Sequence, residues 1–397
     1  MKKTLIALTL TALPVASMAE VTLFGTIKGG LEYTKVKGAK NTVTNANDWD
    51  SSIGFKGEED LGNGLKAIWQ LQSKASIDNK SGRNGQRNTL TSFIGLDAGA
   101  FGKVRAGHLP DAIKDMGDLN LDDSGHGVRD LAHWERTGAR HTAVRYDTAN
   151  IAGFSANILY SPEDNQRYDQ ARKSGSGYAN VCVDWDAENQ VCNEQAVKEV
   201  TTNAVVGDLS GLEGVAPIVD TVTYNRAVTS VGLNYGIAGF FVKYGFVHQI
   251  DKHKDVYNSN VHRIMAGYDA NNLFVGLGYQ YARGFDDKVY KTSELALSAA
   301  YRIGNVVPRL SYVHGFKEKG LDENGNRTTI ANSKYDQVVL GADYYLSKRT
   351  TVIASLGWMK EGVNKANKII DIAGAAGAAD KKTDQAYSFG LGLRHKF

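Results

Sequence analysis

From Val21 to Tyr33 the odd positions read Val21, Leu23, Gly25, Ile27, Gly29, Leu31 and Tyr33, while the even ones read Thr22, Phe24, Thr26, Lys28, Gly30 and Glu32. A period of two with one apolar and one largely polar face is the pattern of a strand that meets two different environments. It returns as Leu295, Leu297, Ala299 and Tyr301 against Glu294, Ser298 and Arg302, as Val338, Leu340, Ala342 and Tyr344 against Gln337 and Asp343, and as Phe389, Leu391 and Leu393 against Ser388 and Arg394. Amphipathic strands are therefore predicted along the whole chain.

The connections alternate in length. Clusters of turn-forming residues mark short ones at 61–64, 97–100, 147–153, 236–239, 269–272, 304–305 and 347–350. Every other connection is long and polar, over 35–46, 77–88, 110–138, 162–220, 250–260, 283–292, 318–334 and 361–384. With two free ends this predicts about sixteen antiparallel strands, an even number within the range of outer-membrane barrels. A soluble sandwich would also alternate, but nothing in it would put all long loops at one end. A membrane barrel does, and it also needs aromatic girdles. Tyr146, Tyr235, Tyr268, Tyr301 and Tyr344 stand beside the short turns, and Phe397 closes the last alternating segment.

Composition narrows the picture further. The chain has 397 residues, 43 Gly against 5 Pro, and a formal charge of +3, so no strong overall field exists to attract nucleic acid. A mean hydropathy of -0.33 excludes a bundle of membrane helices but not a barrel, whose alternating strands average out. Lys2 and Lys3, the apolar run from Leu5 to Leu13 and the small residues around Met18 follow the plan of a secretory signal, with cleavage expected after Ala19. Residues 20–397 are then a single barrel domain. Export makes a local disulfide the default expectation for Cys182 and Cys192. No nucleophile elbow, zinc-protease helix, phosphate loop or EF-hand stands in the chain, and no cofactor is expected. His108, His126, His133 and His141 cluster around the third long connection without metal-ligand spacing.

Several stretches together carry a family resemblance: Val21–Thr26, 54–67 (reading Gly-Phe-Lys-Gly-Glu-Glu-Asp-Leu-Gly-Asn-Gly-Leu-Lys-Ala), 335–342 and the ending Gly-Leu-Arg-His-Lys-Phe at 392–397. The chain resembles the Gram-negative general porins of the neisserial type over nearly all of its mature length. The resemblance implies a homotrimer in the outer membrane, among lipid and lipopolysaccharide, passing ions and small hydrophilic solutes by diffusion. It also implies a sixteen-stranded all-β barrel with the third external loop folded into the lumen. The segment 162–220, longer than usual, is a departure at the outer mouth.

If apolar faces meet lipid, the opposite faces line water, and they carry Lys28, Lys66, Lys74, Lys103, Arg105, Arg145, Lys243, Arg263, Arg302, Arg309 and Arg394 against few acids. The third loop carries Asp111, Asp115, Asp118, Asp122, Asp123 and Asp130. The expected constriction sets Lys28, Lys66, Lys74, Arg105 and Arg145 on the wall against Asp115, Asp118, Asp122 and Asp123 on the loop. Two unit charges ~8 Å apart at an effective dielectric of ~20 interact by about 2 kcal/mol, enough to bias ions without trapping them. A weak anion preference is expected. A substrate-selective channel, a barrel enzyme using His133 and His141, and an adhesive barrel are the other readings.

Overall fold

The computed structural model describes residues 20–37, 42–78, 89–117, 119–122, 127–129, 134, 138–162, 176–186, 191–201, 226–251, 258–284, 289–321, 326–361 and 385–397. The signal segment and Asp118, Asp123, His126 and His133 lie outside them. The chain divides into a large unit and a small one, Asn165–Asn225.

The large unit begins with β1 (Glu20–Val36), β2 (Thr42–Asp48), β3 (Ser52–Gly62), β4 (Leu65–Lys74), β5 (Ser92–Asp97), β6 (Lys103–Pro110), β7 (Arg140–Asp147) and β8 (Phe154–Ser161). The small unit holds one antiparallel hairpin, β9 (Ser176–Asp186) and β10 (Val191–Thr201). Then follow β11 (Arg226–Ile237), β12 (Phe240–Asp251), β13 (Ser259–Ala270), β14 (Leu273–Arg283), β15 (Val289–Tyr301), β16 (Val306–Gly315), β17 (Lys319–Leu321), β18 (Arg327–Thr329), β19 (Tyr335–Tyr345), β20 (Thr350–Glu361) and β21 (Gln385–Lys396).

β1 pairs with β21 from Thr26–Lys396 to Val36–Ala386, which closes the sheet. On its other edge β1 pairs first with β3 and then with β2, so β2 and β3 are two parts of one interrupted stave. β17 and β18 form a small ladder beyond the break at 316–318, β17 pairing with the start of β15. The result is a closed antiparallel barrel of sixteen staves. Closure leaves no unpaired edge, which is what backbone in hydrocarbon requires.

The short turns fall where Gly, Asn and Ala cluster. Both central residues are left-handed at Asn63–Gly64, Ala152–Gly153, Ala238–Gly239 and Asn271–Asn272 (φ from 51° to 89°), the mirror-image geometry that matches strand twist. The first long connection is shorter than the sequence suggested, because most of 35–46 is the ends of β1 and β2. The stretch 162–220 contains the β9–β10 hairpin, in whose backbone register Cys182 faces Gln195 and Cys192 faces Trp185. The side chains of both cysteines lie outside the described residues.

The two faces differ as the alternation requires. Leu31, Leu340, Leu356 and Leu391 point outward and are between 45% and 60% exposed, a coat that lipid covers. Arg309, Asp343, Ser311, Ser355 and Ser388 point inward and are buried. Tyr146, Tyr235, Tyr301 and Tyr344 stand exposed beside the short turns, and Tyr268 packs edge-on to Phe240 at 4.9 Å. No described helix is long and apolar enough to cross a membrane.

Candidate pore-lining site

The connection between β6 and β7 supplies most of the site. It opens with Asp111, fully buried, which caps the short helix α1 (Ala112–Asp115) by accepting from the Lys114 N–H at 2.7 Å. The same carboxylate accepts from the Ala139 N–H at 2.8 Å, with His141 3.3 Å away. Asp111 N–H also donates to the Ala139 carbonyl at 2.9 Å, so one residue ties both ends of the connection together.

Between those ends the described residues lie along the inward faces of the wall. The Ala112 N–H donates to Ser230 of β11 at 2.7 Å, and the Lys243 ammonium of β12 donates to the Met116 carbonyl at 2.8 Å. Ser298 and Ser311 donate to the Leu119 carbonyl, and Ser311 accepts from the Leu121 N–H at 3.1 Å. Gln337 donates to the Val128 carbonyl at 2.9 Å, and Arg263 donates to the Trp134 carbonyl. Glycines make room for this contact: a Cβ at Gly278 would stand 2.8 Å from both Leu119 and Trp134, and one at Gly357 2.6 Å from the Val128 carbonyl.

Arg129 is the far anchor. Fully buried, it donates to Ser355 (3.1 Å) and Ser388 (3.2 Å), pairs with Glu32 and stands over the Trp49 ring at 5.2 Å. Trp49 reaches the lumen because the interruption between β2 and β3 turns the chain at Asp50 (φ 64°), and it lies against Gly30 and Gly392. Arg309 spans Asp122 (3.3 Å) and Asp343 (2.8 Å), and Arg394 stands 3.5 Å from Asp343.

At the near anchor Arg145 binds Asp115 at 2.6 Å, Asp147 at 2.7 Å and the Pro110 carbonyl at 2.9 Å. Arg105, cross-strand from Arg145, binds the other Asp147 oxygen at 2.7 Å and stacks over Phe93 at 5.1 Å. Two arginines and two aspartates thus form one compact cluster, and the aspartate of the connection touches the wall instead of facing it across a gap. Asp122 behaves likewise.

The remaining basic residues named from sequence are spread in height. Lys66, one residue past the start of β4, pairs with exposed Glu58 at 2.7 Å beside a short turn; Lys74, at the other end of that strand, pairs with Asp50 at 2.6 Å. Eight residues of rise put these two about 26 Å apart. Lys28 lies cross-strand from Arg394. Asp147, Arg129 and Trp49 do not stand out in the sequence. Asp147 reads as a turn residue, Arg129 stands in a loop with no periodicity, and Trp49 sits in a polar stretch with no alternation around it. His108 and His141 join no group able to hold a metal among the described residues.

A closed barrel with a polar, charge-lined interior, against whose wall the described residues of the connection lie, can hold an aqueous path. Known proteins agree. The major outer membrane protein P.IB of Neisseria sicca is 37% identical, over all of both chains. Among solved structures, the anion-selective porin from Comamonas acidovorans superposes with a TM-score of 0.61 over 96% of this chain and 100% of its own at 19% identity. The trimer form of OmpT of Vibrio cholerae does so with 0.58 over 96% and 99% at 13% identity. Residues 26–397 match the Gram-negative porin family. The chain belongs to that family and is a multi-pass β-barrel channel of the Gram-negative outer membrane.

Proposed function

We propose that this porin is a general diffusion pore, assembled as a homotrimer amid lipid and lipopolysaccharide, that passes ions and small hydrophilic solutes with a weak preference for anions. The β6–β7 connection narrows the lumen, and the Arg105–Arg145–Asp147–Asp115 cluster stands at its edge. The observation that carries the reading is the way acids of the connection are matched. Asp115 is held by Arg145, and Asp122 by Arg309, so neither carboxylate presents a full charge to the stream. Lys114, on the exposed side of α1, is then the cation of the connection that a hydrated ion meets, while Lys66 and Lys74 toward the two mouths share their charge with Glu58 and Asp50.

The name of the Comamonas acidovorans relative, an anion-selective porin, supports the sign, and the trimer form of the Vibrio cholerae protein supports the assembly. The preference is weak because each attraction amounts to about 1–2 kcal/mol before salt screens it. Reversal potentials across a potassium chloride gradient test the reading: the anion branch is predicted, and a strong cation preference would contradict it.

A further inference from the structure

The inward face of a porin is expected to be polar, yet near the short turn Ala238–Gly239 it carries two phenylalanines. Phe241 on β12 and Phe274 on β14 stack with ring centroids 6.1 Å apart and planes 20° from parallel. They lean over glycines: a Cβ on Gly267 would lie 2.6 Å from Phe241, and one on Gly276 would lie 3.1 Å from Phe274. Together with Met116, Met265 and the turn residues 236–240 they line a shallow, widely open depression of about 480 Å³.

The same depression is lined by one cation and one anion. Lys243 has its ammonium 5.5 Å from the centre of the Phe241 ring and 2.8 Å from the Met116 carbonyl. Asp269 is the direct cross-strand partner of Phe274 and is exposed. An apolar floor flanked by opposite charges complements a solute that has a flat ring and carries both charges itself. A purely anionic or cationic aromatic would satisfy one wall and be repelled by the other.

We propose that this alcove is a weak subsite for aromatic zwitterions, of which aromatic amino acids are the simplest. It rests on the channel reading and goes beyond it, since a pore without such a subsite would pass these solutes by size alone. The ring stacks on Phe241 and Phe274, the carboxylate meets Lys243, and the ammonium meets Asp269. Affinity in the millimolar range suits a transit site, because a deeper well would hold its solute.

The test uses the full-length porin reconstituted in planar bilayers, with L-tryptophan added on each side and ion-current block recorded. Block that saturates in the millimolar range is expected, with glycine, indole-3-propionate and tryptamine each at least about threefold weaker. Phe241→Leu with Phe274→Leu keeps apolar volume while removing both rings, and Asp269→Asn removes the anion. Both variants should conduct chloride near the parent level and lose threefold or more of the tryptophan block. Saturation-transfer NMR on detergent-solubilised protein supplies a second readout, expected to show contact at the indole ring. A parent channel that conducts but is blocked equally by all four solutes, or leucine variants with unchanged block and contact, would overturn the subsite while leaving the channel intact. A folded protein with no conductance would overturn the channel reading and the subsite with it.

Discussion

The Asp115 carboxylate lies 2.6 Å from the Arg145 guanidinium and thereby joins the short helix of the β6–β7 connection to the barrel wall. Arg145 is nearly inaccessible, whereas Asp115 keeps about a third of its surface in water (2% and 38% side-chain exposure). The bond is therefore a tether, and on the proposed reading it also modifies the charge that ions meet.

Asp115→Asn should shift the reversal potential in a salt gradient toward anions. Arg105→Gln should shift it toward cations, since Asp147 would then answer to Arg145 alone. Because Arg145 keeps Asp147 and the Pro110 carbonyl, the loss of Asp115 should cost only about 1–2 kcal/mol of folding stability, less than an isolated buried charge would. Urea titrations in lipid vesicles measure the second quantity; selectivities that stay put in both variants would remove the cluster from the ion path.

Salt supplies an independent check. Screening lengths fall from ~10 Å at 0.1 M to ~3 Å at 1 M, so a preference set by partly exposed lysines should shrink toward the free-solution mobility ratio as mean salt rises over that range. A preference that is the same at both salts would point to steric selection.

The glycine track under the connection can be tested by filling it. Gly278→Val places a branched side chain where Leu119 and Trp134 pack, with Trp134 2.8 Å from the position of the new Cβ. The barrel should still assemble, since strands tolerate Val well. The connection must give way, so single-channel conductance should change by a third or more, with an altered tryptophan emission spectrum. Unchanged conductance would mean that this segment does not set the pore's width.

The two faces of the barrel should respond differently. Leu356 points into lipid at mid-strand, opposite Leu340 and Phe389. Leu356→Arg should destabilise the barrel by about 2–4 kcal/mol in vesicle unfolding experiments. Arginine at an inward, half-buried polar position, Gln70→Arg on β4, should cost less in stability and alter conductance instead. Equal stability losses would contradict the assignment of faces.

What the chain discloses without coordinates follows from how strongly each feature depends on local pattern. The staves are legible because a period of two survives wherever one face meets lipid, and the short turns because left-handed pairs such as Asn271–Asn272 favour few residues. β2 is not legible: Thr42–Asp48 is polar on both faces, lying at the rim where no lipid imposes alternation. The alternation names which bases face inward, and spacing alone separates Lys66 from Lys74 along β4, but the relative heights of bases on different strands depend on register, which the chain does not disclose. Sequence placed loop acids and wall bases on opposing surfaces; the contacts between Asp115 and Arg145, and between Asp122 and Arg309, depend on the path of a loop that has no periodicity to read.

The central claim is that the closed barrel holds a standing aqueous path past the tethered connection. Insertion of purified, folded protein into a planar bilayer at 1 M potassium chloride tests it most directly. Stepwise current increments that scale linearly with voltage, each closing in three sublevels, are the predicted record. Folded barrels that insert into the bilayer and leave it electrically silent would contradict the account.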